Sequence, residues 1–426
     1  MLNKKLSRIL GPVLGIMVFM ASLSIGQVKV LADDKGNDNS VALKNAICHD
    51  YKDYSININK SVEQNGFKVT LDKVTGTKHF LKVQVKVQSA KALDKEEMED
   101  IIAKITFNEN GESIGKSGSR WTEYIDDNTA LINITEEIEN AEYIEKGDLR
   151  VDIAIPSYKI NAGIDAYVDF SESFRNTLEK EISVDVPKLN LTLNKLEADI
   201  MGTKLKYTSH CAERDQDKED TIGSSMILKV GDRMYKTSSA GNYSFNDKES
   251  EGSYRAEAVT YAKLKDENDF SIIPVNCDMS YDEVNKTYDN NIMEYYEKLD
   301  SSKETLNNVK YLKEFKFSDG TKGEIYNIER KDNIVKVYCK GNSQKESLLM
   351  ASNMYMNYEF DDSNVGLNDM YDYNKHMSFY KDKNEDLGYI VEFNNVDKDK
   401  ILNLDIYSAI SQIDRFKLGD EVEISK

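Results

Sequence analysis

The sequence predicts a mainly β protein: tandem β-sandwich domains with one helical connector, preceded by an N-terminal signal or anchor helix. Three observations carry that prediction. Apolar and polar residues alternate with period two along much of the chain, as through Leu81, Val83, Val85 and Val87, which is the spacing of a half-buried strand. Gly, Asn and Asp punctuate the alternating runs where hairpins need turns. A string around Leu71 returns around Leu193, 122 residues on, about the length of one sandwich domain.

The leader comes first. Lys4, Lys5 and Arg8 precede an apolar run from Ile9 to Gly26, and Val30, Leu31 and Ala32 stand before Asp33 and Asp34. A basic start, an apolar centre and small or apolar residues before a cut between Ala32 and Asp33 describe a secretory signal peptide over 1–32. An apolar run of 18 residues is also close to the shortest that spans a bilayer, so the alternative is an uncut single N-terminal membrane anchor. Either way the basic end stays inside and the body is extracytoplasmic, secreted or anchored to the outer face of the membrane.

Charge narrows the partners. The whole chain carries a formal −19; residues 33–426 hold 52 Lys and Arg against 75 Asp and Glu, or −23. Such a surface repels nucleic acid and anionic headgroups. The expected partner is an envelope protein or a cell-wall component. Four cysteines, Cys48, Cys211, Cys277 and Cys339, are too few for a disulfide scaffold; Cys211 with Cys277, inside one inferred domain, is the pair to consider, against buried free thiols.

After a polar linker over 33–43, the first β domain is expected over 44–175. Ser55 to Asn59 alternate, Gln64-Asn65-Gly66 turn, and Phe67, Val69 and Leu71 alternate again. Asp94 to Lys104 reads as a helix, with Asp94 as cap, Glu97 three residues on, and Met98, Ile101 and Ile102 apolar. Strands return at Ile105 to Phe107, Ala130 to Thr135 and Leu149 to Ile155 before Pro156. The second domain, 176–280, opens with Ile182, Val184 and Val186. Its Leu191-Thr192-Leu193-Asn194-Lys195-Leu196, then Gly202-Thr203-Lys204, echoes Val69-Thr70-Leu71-Asp72-Lys73-Val74, then Gly76-Thr77-Lys78. A helical connector is expected over 281–308, with Val284, Tyr288, Ile292, Tyr295, Tyr296 and Leu299 at three- and four-residue steps. A C-terminal β domain follows over 309–426: Gly323 to Ile328 and Ile334 to Cys339 form a hairpin about Lys331-Asp332-Asn333, and Tyr389 to Phe393 and Glu421 to Ile424 are late strands. Ser347 to Tyr358 mixes both periodicities.

Catalytic patterns are weak. The four histidines, His49, His79, His210 and His376, have no partner at metal-ligand spacing, and no cofactor or metal is expected. Ser113-Ile114-Gly115-Lys116 matches S-x-x-K, but in a Gly/Ser-rich loop and not at a helix start. Asp215 to Asp220 lacks the Gly and Glu of a helix-loop-helix calcium loop, and Asp361 to Asp372 has oxygen ligands without a recognised spacing. Trp121, the single tryptophan, with Tyr124, is a candidate stacking platform for a ligand; the alternative is a packed core or corner residue.

The run Tyr54 to Ser89, with "INKSVEQNGFKVTLDKV" and "LKVQVKVQS", resembles the DUF4179 domain of Gram-positive bacteria. "EISVDVPKLNLTLNKLEADIMGTKLKY", Glu181 to Tyr207, resembles the immunoglobulin-like DUF5643 region that follows it there, and Tyr167-Val168-Asp169-Phe170 matches an aromatic-x-Phe strand. The likeness covers Lys44 to Pro274; the third unit has none. It implies immunoglobulin-like sandwiches and the extracytoplasmic part of anti-sigma factors. Only Met1 to Arg8 precede the apolar run, so the resemblance implies an envelope location and a sensing or binding role without a sigma-binding segment. The expectation is therefore a non-enzymatic cell-envelope binding protein. The alternative is a surface adhesin or glycan-binding protein using Trp121 or the tyrosines.

Overall fold

The computed structural model describes residues 54–110, 115–210, 224–244, 249–277, 279, 292–359 and 371–424. The leader with Ala32 and Asp33, the linker, Cys48, Cys211, Asp215 to Asp220 and 360–370 lie outside the described residues. Among the described residues no helix is long and apolar enough to cross a membrane.

The chain is mainly β, in sheets stacked as sandwich layers whose strands pair antiparallel except Val309–Tyr311 with Leu402–Asp405, which run parallel. The first unit holds β1 (Ile56–Gln64), β2 (Phe67–Gly76), β3 (Phe80–Ser89), β4 (Ile102–Thr106), β5 (Glu109–Asn110), β6 (Gly115–Asp126), β7 (Thr129–Glu139), β8 (Glu142–Tyr143), β9 (Lys146–Ile155) and β10 (Ile160–Asp169). The second holds β11 (Leu178–Val186), β12 (Leu191–Asp199), β13 (Gly202–His210), β14 (Ser225–Val230), β15 (Arg233–Lys236), β16 (Ser238–Ser244), β17 (Glu249–Ala256) and β18 (Phe270–Cys277). The third holds β19 (Glu304–Leu306), β20 (Val309–Tyr311), β21 (Glu314–Lys316), β22 (Lys322–Lys331), β23 (Ile334–Lys340), β24 (Tyr355–Tyr358), β25 (Met377–Lys381), β26 (Tyr389–Phe393), β27 (Leu402–Asp405), β28 (Phe416–Leu418) and β29 (Val422–Glu423).

The echo in the sequence is a repeat of architecture. The first unit's large sheet runs β1-β2-β3-β7-β6 and the second unit's β11-β12-β13-β17-β16, the same order. Both carry a bulge at the matching place, after Leu71 in the β2–β3 pair and after Leu193 in β12–β13. Such a bulge adds a residue to one strand and coils the sheet. In the first unit a second layer, β10-β9-β4, closes the sandwich; Val69, Leu71, Val83, Val85, Val151 and Ile153, none measurably exposed, fill the space between.

The second unit closes differently. Its β14 and β18 pair with each other, and the sheet they start continues into the third unit as β21-β22-β23-β26-β25-β15-β14-β18, with β28 and β29 both pairing β18. The join is Met234 opposite Phe379. At β14 and β18 this shared sheet is buried on both faces. On β14, Met226 and Leu228 enter the second unit's core while Ile227 enters the third's; on β18, Phe270 and Ile272 face one way and Val275 and Cys277 the other. Strand alternation produces this split, and a sheet covered on both sides has near-continuous apolar runs. The 176–280 and 309–426 units therefore share one continuous sheet. The third unit's far face is covered by the helix Gln344–Ser352, capped by Ser343 Oγ, which accepts from Glu346 N at 3.2 Å.

Two local expectations are corrected. Asp94 to Lys104 is not a helix. Asp94 Oδ1 does accept from Glu96 N at 2.9 Å, and Met98 N reaches Asp94 O at 3.1 Å, but the chain turns and enters β4, which pairs with β9. One helical turn is a costly nucleus, and strand pairing wins. The connector is not helical throughout 281–308 either. Within its described part a helix covers Ile292–Ser301, and β19 then turns back on β20 through Asn307 and Asn308, both at positive φ. Two consecutive left-handed residues are a hairpin turn of the primed type. Ser347 to Tyr358, ambiguous in sequence, splits into the end of the helix and β24.

The C-terminal tail completes the second unit, since Ile424, 1% exposed, lies in its core. Ile424→Ala is expected to cost about 2–4 kcal/mol in denaturant titration of the full chain. The second and third units should unfold in one transition, because β14 and β18 belong to both cores. An unchanged midpoint, or a third unit unfolding separately, would contradict this arrangement.

Candidate functional site

A cavity of about 780 Å³ opens where the three units meet, within the range of small-molecule sites. Each wall follows from strand geometry. From β3, Lys82 alternates with the core residues Leu81 and Val83 and so points outward. From β15 comes Arg233, and from the turn after β17 comes Glu257. The third unit contributes Lys375 and His376 just before β25, and Glu392 on β26.

Most of the charges inside are paired. Lys375 Nζ lies 2.7 Å from Asp372 Oδ2 and 3.3 Å from Glu257 Oε2. Burial would lower the Lys375 ammonium, but Glu257 and Asp372 outweigh it and hold it above its ordinary value. Arg233 Nη1 lies 3.0 Å from Glu392 Oε1 and donates to Ser378 Oγ at 2.7 Å. Burial alone would raise the Glu392 carboxyl; Arg233 wins and holds it below the usual range. His376 is pushed down to about 4, by burial first and then by Lys375 and Lys263, so it is neutral at pH 7. Its Nδ1 stands 3.2 Å from Asn395 Nδ2, which fits an amide donating to that nitrogen. Lys82 differs: among the described residues no carboxylate lies within ion-pair distance of it. Burial, then the Lys375 charge, lowers it to about 8.

A second cluster lies at the seam between the first two units. The outer face of the second unit's large sheet carries Lys195, Glu197, Lys204, Lys206 and Arg255, opposite in alternation to Leu196, Ala198 and Leu205. Lys204 bridges Glu137 at 2.7 Å and also Glu139, and Lys206 reaches Glu139 at 3.5 Å. Lys78 holds Glu179 at 2.6 Å, and Arg255 lies 3.9 Å from the centre of the Phe80 ring. His79, lone in sequence, is brought together with Glu179 and Glu197 within 4.8 Å, and its Nδ1 is 2.9 Å from Ala141 O. That triad has ligand chemistry, but Lys78 and Lys195 hold Glu179, and Lys195 and Lys206 hold Glu197 at 2.7 and 2.9 Å. A cation there would meet three ammonium groups. The arrangement suits a charge-paired seam better than a metal centre.

The predicted ligand residues fall elsewhere. Trp121 is half-buried on the edge strand β6, opposite Asn133, and does not line the cavity; Lys82 Nζ lies 5.7 Å from the centre of its ring. Tyr124 packs against the first unit's core, its hydroxyl donating to Lys95 O at 3.4 Å and Lys95 Nζ 5.3 Å from its ring centre. The structure does not bring the two together as a platform: three residues apart on a strand, they point to opposite faces. Cys277 is buried at the end of β18; its suggested partner Cys211 lies outside the described residues. Cys339 is a buried free thiol, pushed up to about 12 by burial, so it is unreactive at neutral pH. Sequence reasoning missed Lys82, Glu257 and Lys375; the first two had one signal, a polar residue between apolar neighbours, and Lys375, between Asn374 and His376, had none.

The seam has an acid signature. Burial would raise Glu197, but Lys206 and His79, then Lys195, bring it to about 2 from an ordinary 4.5. A depressed carboxyl contributes stability above its unfolded pKa and loses it as pH falls through the folded one. The wild-type chain is expected to lose about 3 kcal/mol from this group between pH 4.5 and 2. Glu197→Gln should be less stable at pH 7 and lack that part of the acid dependence in denaturant titrations; identical pH profiles would refute the assignment.

Comparison with known proteins adds little. No family model matches the chain, and no curated protein matches it. Among solved structures, a conserved domain protein from Bacillus anthracis is similar at 17% identity and a TM-score of 0.39, over 53% of this chain and 79% of that one. A likeness at that level carries no argument about this protein.

Proposed function

We propose that this protein is a non-enzymatic recognition protein of the cell envelope, secreted or anchored by its leader, that binds a ligand in the cleft between its three units. The observation that carries this reading is the cleft itself. It takes charged walls from β3, β15, the turn after β17, the segment before β25, and β26, and ion pairs hold its carboxylates Glu257 and Glu392 in place. Such pre-organisation suits binding. Ser378 Oγ accepts from Arg233, and His376 Nδ1 faces Asn395, an arrangement that anchors these groups and does not relay a proton to a nucleophile. The leader pattern and the acidic body support the extracytoplasmic location, and the resemblance of Lys44 to Pro274 to the DUF4179 and DUF5643 regions supports a sensing role. A ligand touching all three units would favour one arrangement of the first unit against the joined second and third, which is how binding becomes a signal. The adhesin or glycan-binding alternative has less support, because Lys82 and Lys95 lie close to the rings of Trp121 and Tyr124.

A photo-crosslinking residue in place of Ile334, which lines the cleft, tests this in cells expressing the full chain. Adducts are expected at the outer surface from position 334 and not from exposed Thr106 on β4. Equal yields at both positions, or adducts formed only inside the cell, would refute the reading.

A further inference from the structure

Resting on that reading of the cleft, we infer that its ligand is a small monoanionic carboxylate that also carries hydrogen-bond donors, with the carboxylate held by Lys82. The charge pattern leads to this. Lys375 is shared by Glu257 and Asp372, and Arg233 is taken by Glu392. Lys82 stands in the cleft with no carboxylate within ion-pair distance among the described residues; Lys263, which also lines the cleft, donates to Ala258 O at 2.8 Å. A buried charge is costly unless it is paired, and an incoming carboxylate would pair it.

Two further atoms shape the ligand. Thr260 Oγ1 and Asn333 Oδ1 both belong to lining residues, and both atoms are buried without a hydrogen-bond partner. Unmade hydrogen bonds at buried polar atoms are costly. The threonine hydroxyl can donate to a carboxylate, whereas the asparagine oxygen can only accept, so the ligand must offer an N–H or O–H of its own. Exposed Asp232, Asp266 and Glu267 also line the cleft. These carboxylates repel a second negative charge near Lys82, which supports a monoanion and disfavours a phosphate dianion.

Trp121 provides the readout. It is the single tryptophan, and Lys82 Nζ lies 5.7 Å from the centre of its ring, so an anion arriving at Lys82 should change its fluorescence. The full chain is titrated with lactate, N-acetylglycine, methyl lactate, glucosamine and inorganic phosphate, with calorimetry in parallel. Saturable responses to lactate or N-acetylglycine, and none to the methyl ester or phosphate, are expected. Lys82→Gln should weaken binding on the order of tenfold or more, and Lys82→Arg should retain it. The charged groups facing Lys82 are Lys375, Glu257 and Asp372; since Lys82 titrates at about 8, affinity should fall as pH rises through that value. Should Lys82→Gln fail to fold, Thr260→Val is read in its place, with weaker carboxylate binding expected. A saturable response to the ester or the amine but not to carboxylates would keep the cleft as a binding site and overturn the carboxylate assignment. Carboxylate binding unchanged in Lys82→Gln would do the same. Silence toward every compound, together with no adduct from position 334, would overturn both readings.

Discussion

Burial of two central strands, β14 and β18, on both of their faces is the constraint on which the rest depends. On β14 and β18, odd and even positions enter different cores, so neither core can form without the strands that serve the other. Each large apolar side chain buried there contributes roughly 1.5–3 kcal/mol, and the backbone bonds between β14 and β18 are shielded from water on both sides. The second and third units are thereby held in one fixed relation. The first unit, by contrast, closes its own sandwich with β9 and β10.

That difference explains how a repeated architecture comes to have a single cleft. The two large sheets follow the same strand order and bulge at the same place. In the first unit β10 covers the flank of β9; in the second, β28 and β29, from the far end of the chain, cover β18. The chain that loops out between β18 and β28 becomes the third unit. It brings Lys375, His376 and Glu392 to the outward side of β3, where Lys82 stands. The cleft is a consequence of completing one sandwich with distant strands.

Between the first two units the contact is charged, not oily. Lys204, 6% exposed, meets Glu137 and Glu139, and Lys195 and Lys206 meet Glu197. Buried ion pairs contribute modestly to net stability, yet removing one partner is costly, so such a seam specifies orientation more than it adds strength. Orientation matters here because Lys82 belongs to the first unit and its facing charges to the other two.

Much of the architecture was legible in the chain. Period-two alternation gave the strands around Leu71, Val83 and Leu193, the 122-residue echo gave the repeat, and Lys331-Asp332-Asn333 gave the hairpin of β22 and β23, with Asp332 at positive φ. These are local properties, set by side-chain periodicity and turn chemistry within a few residues. The turn at Asp94 misled because its capping groups are real while the strand pairing that overrides them is distant. The sequence by itself determined the class of structure, the repeat and the leader pattern. Only the tertiary structure decided that β14 and β18 serve two cores, that His79 joins a charge-paired seam, and that Lys82 faces Glu257, Asp372 and Lys375. Those pairings join residues tens to hundreds of positions apart, and period-two alternation states which face a residue takes but not what lies across from it.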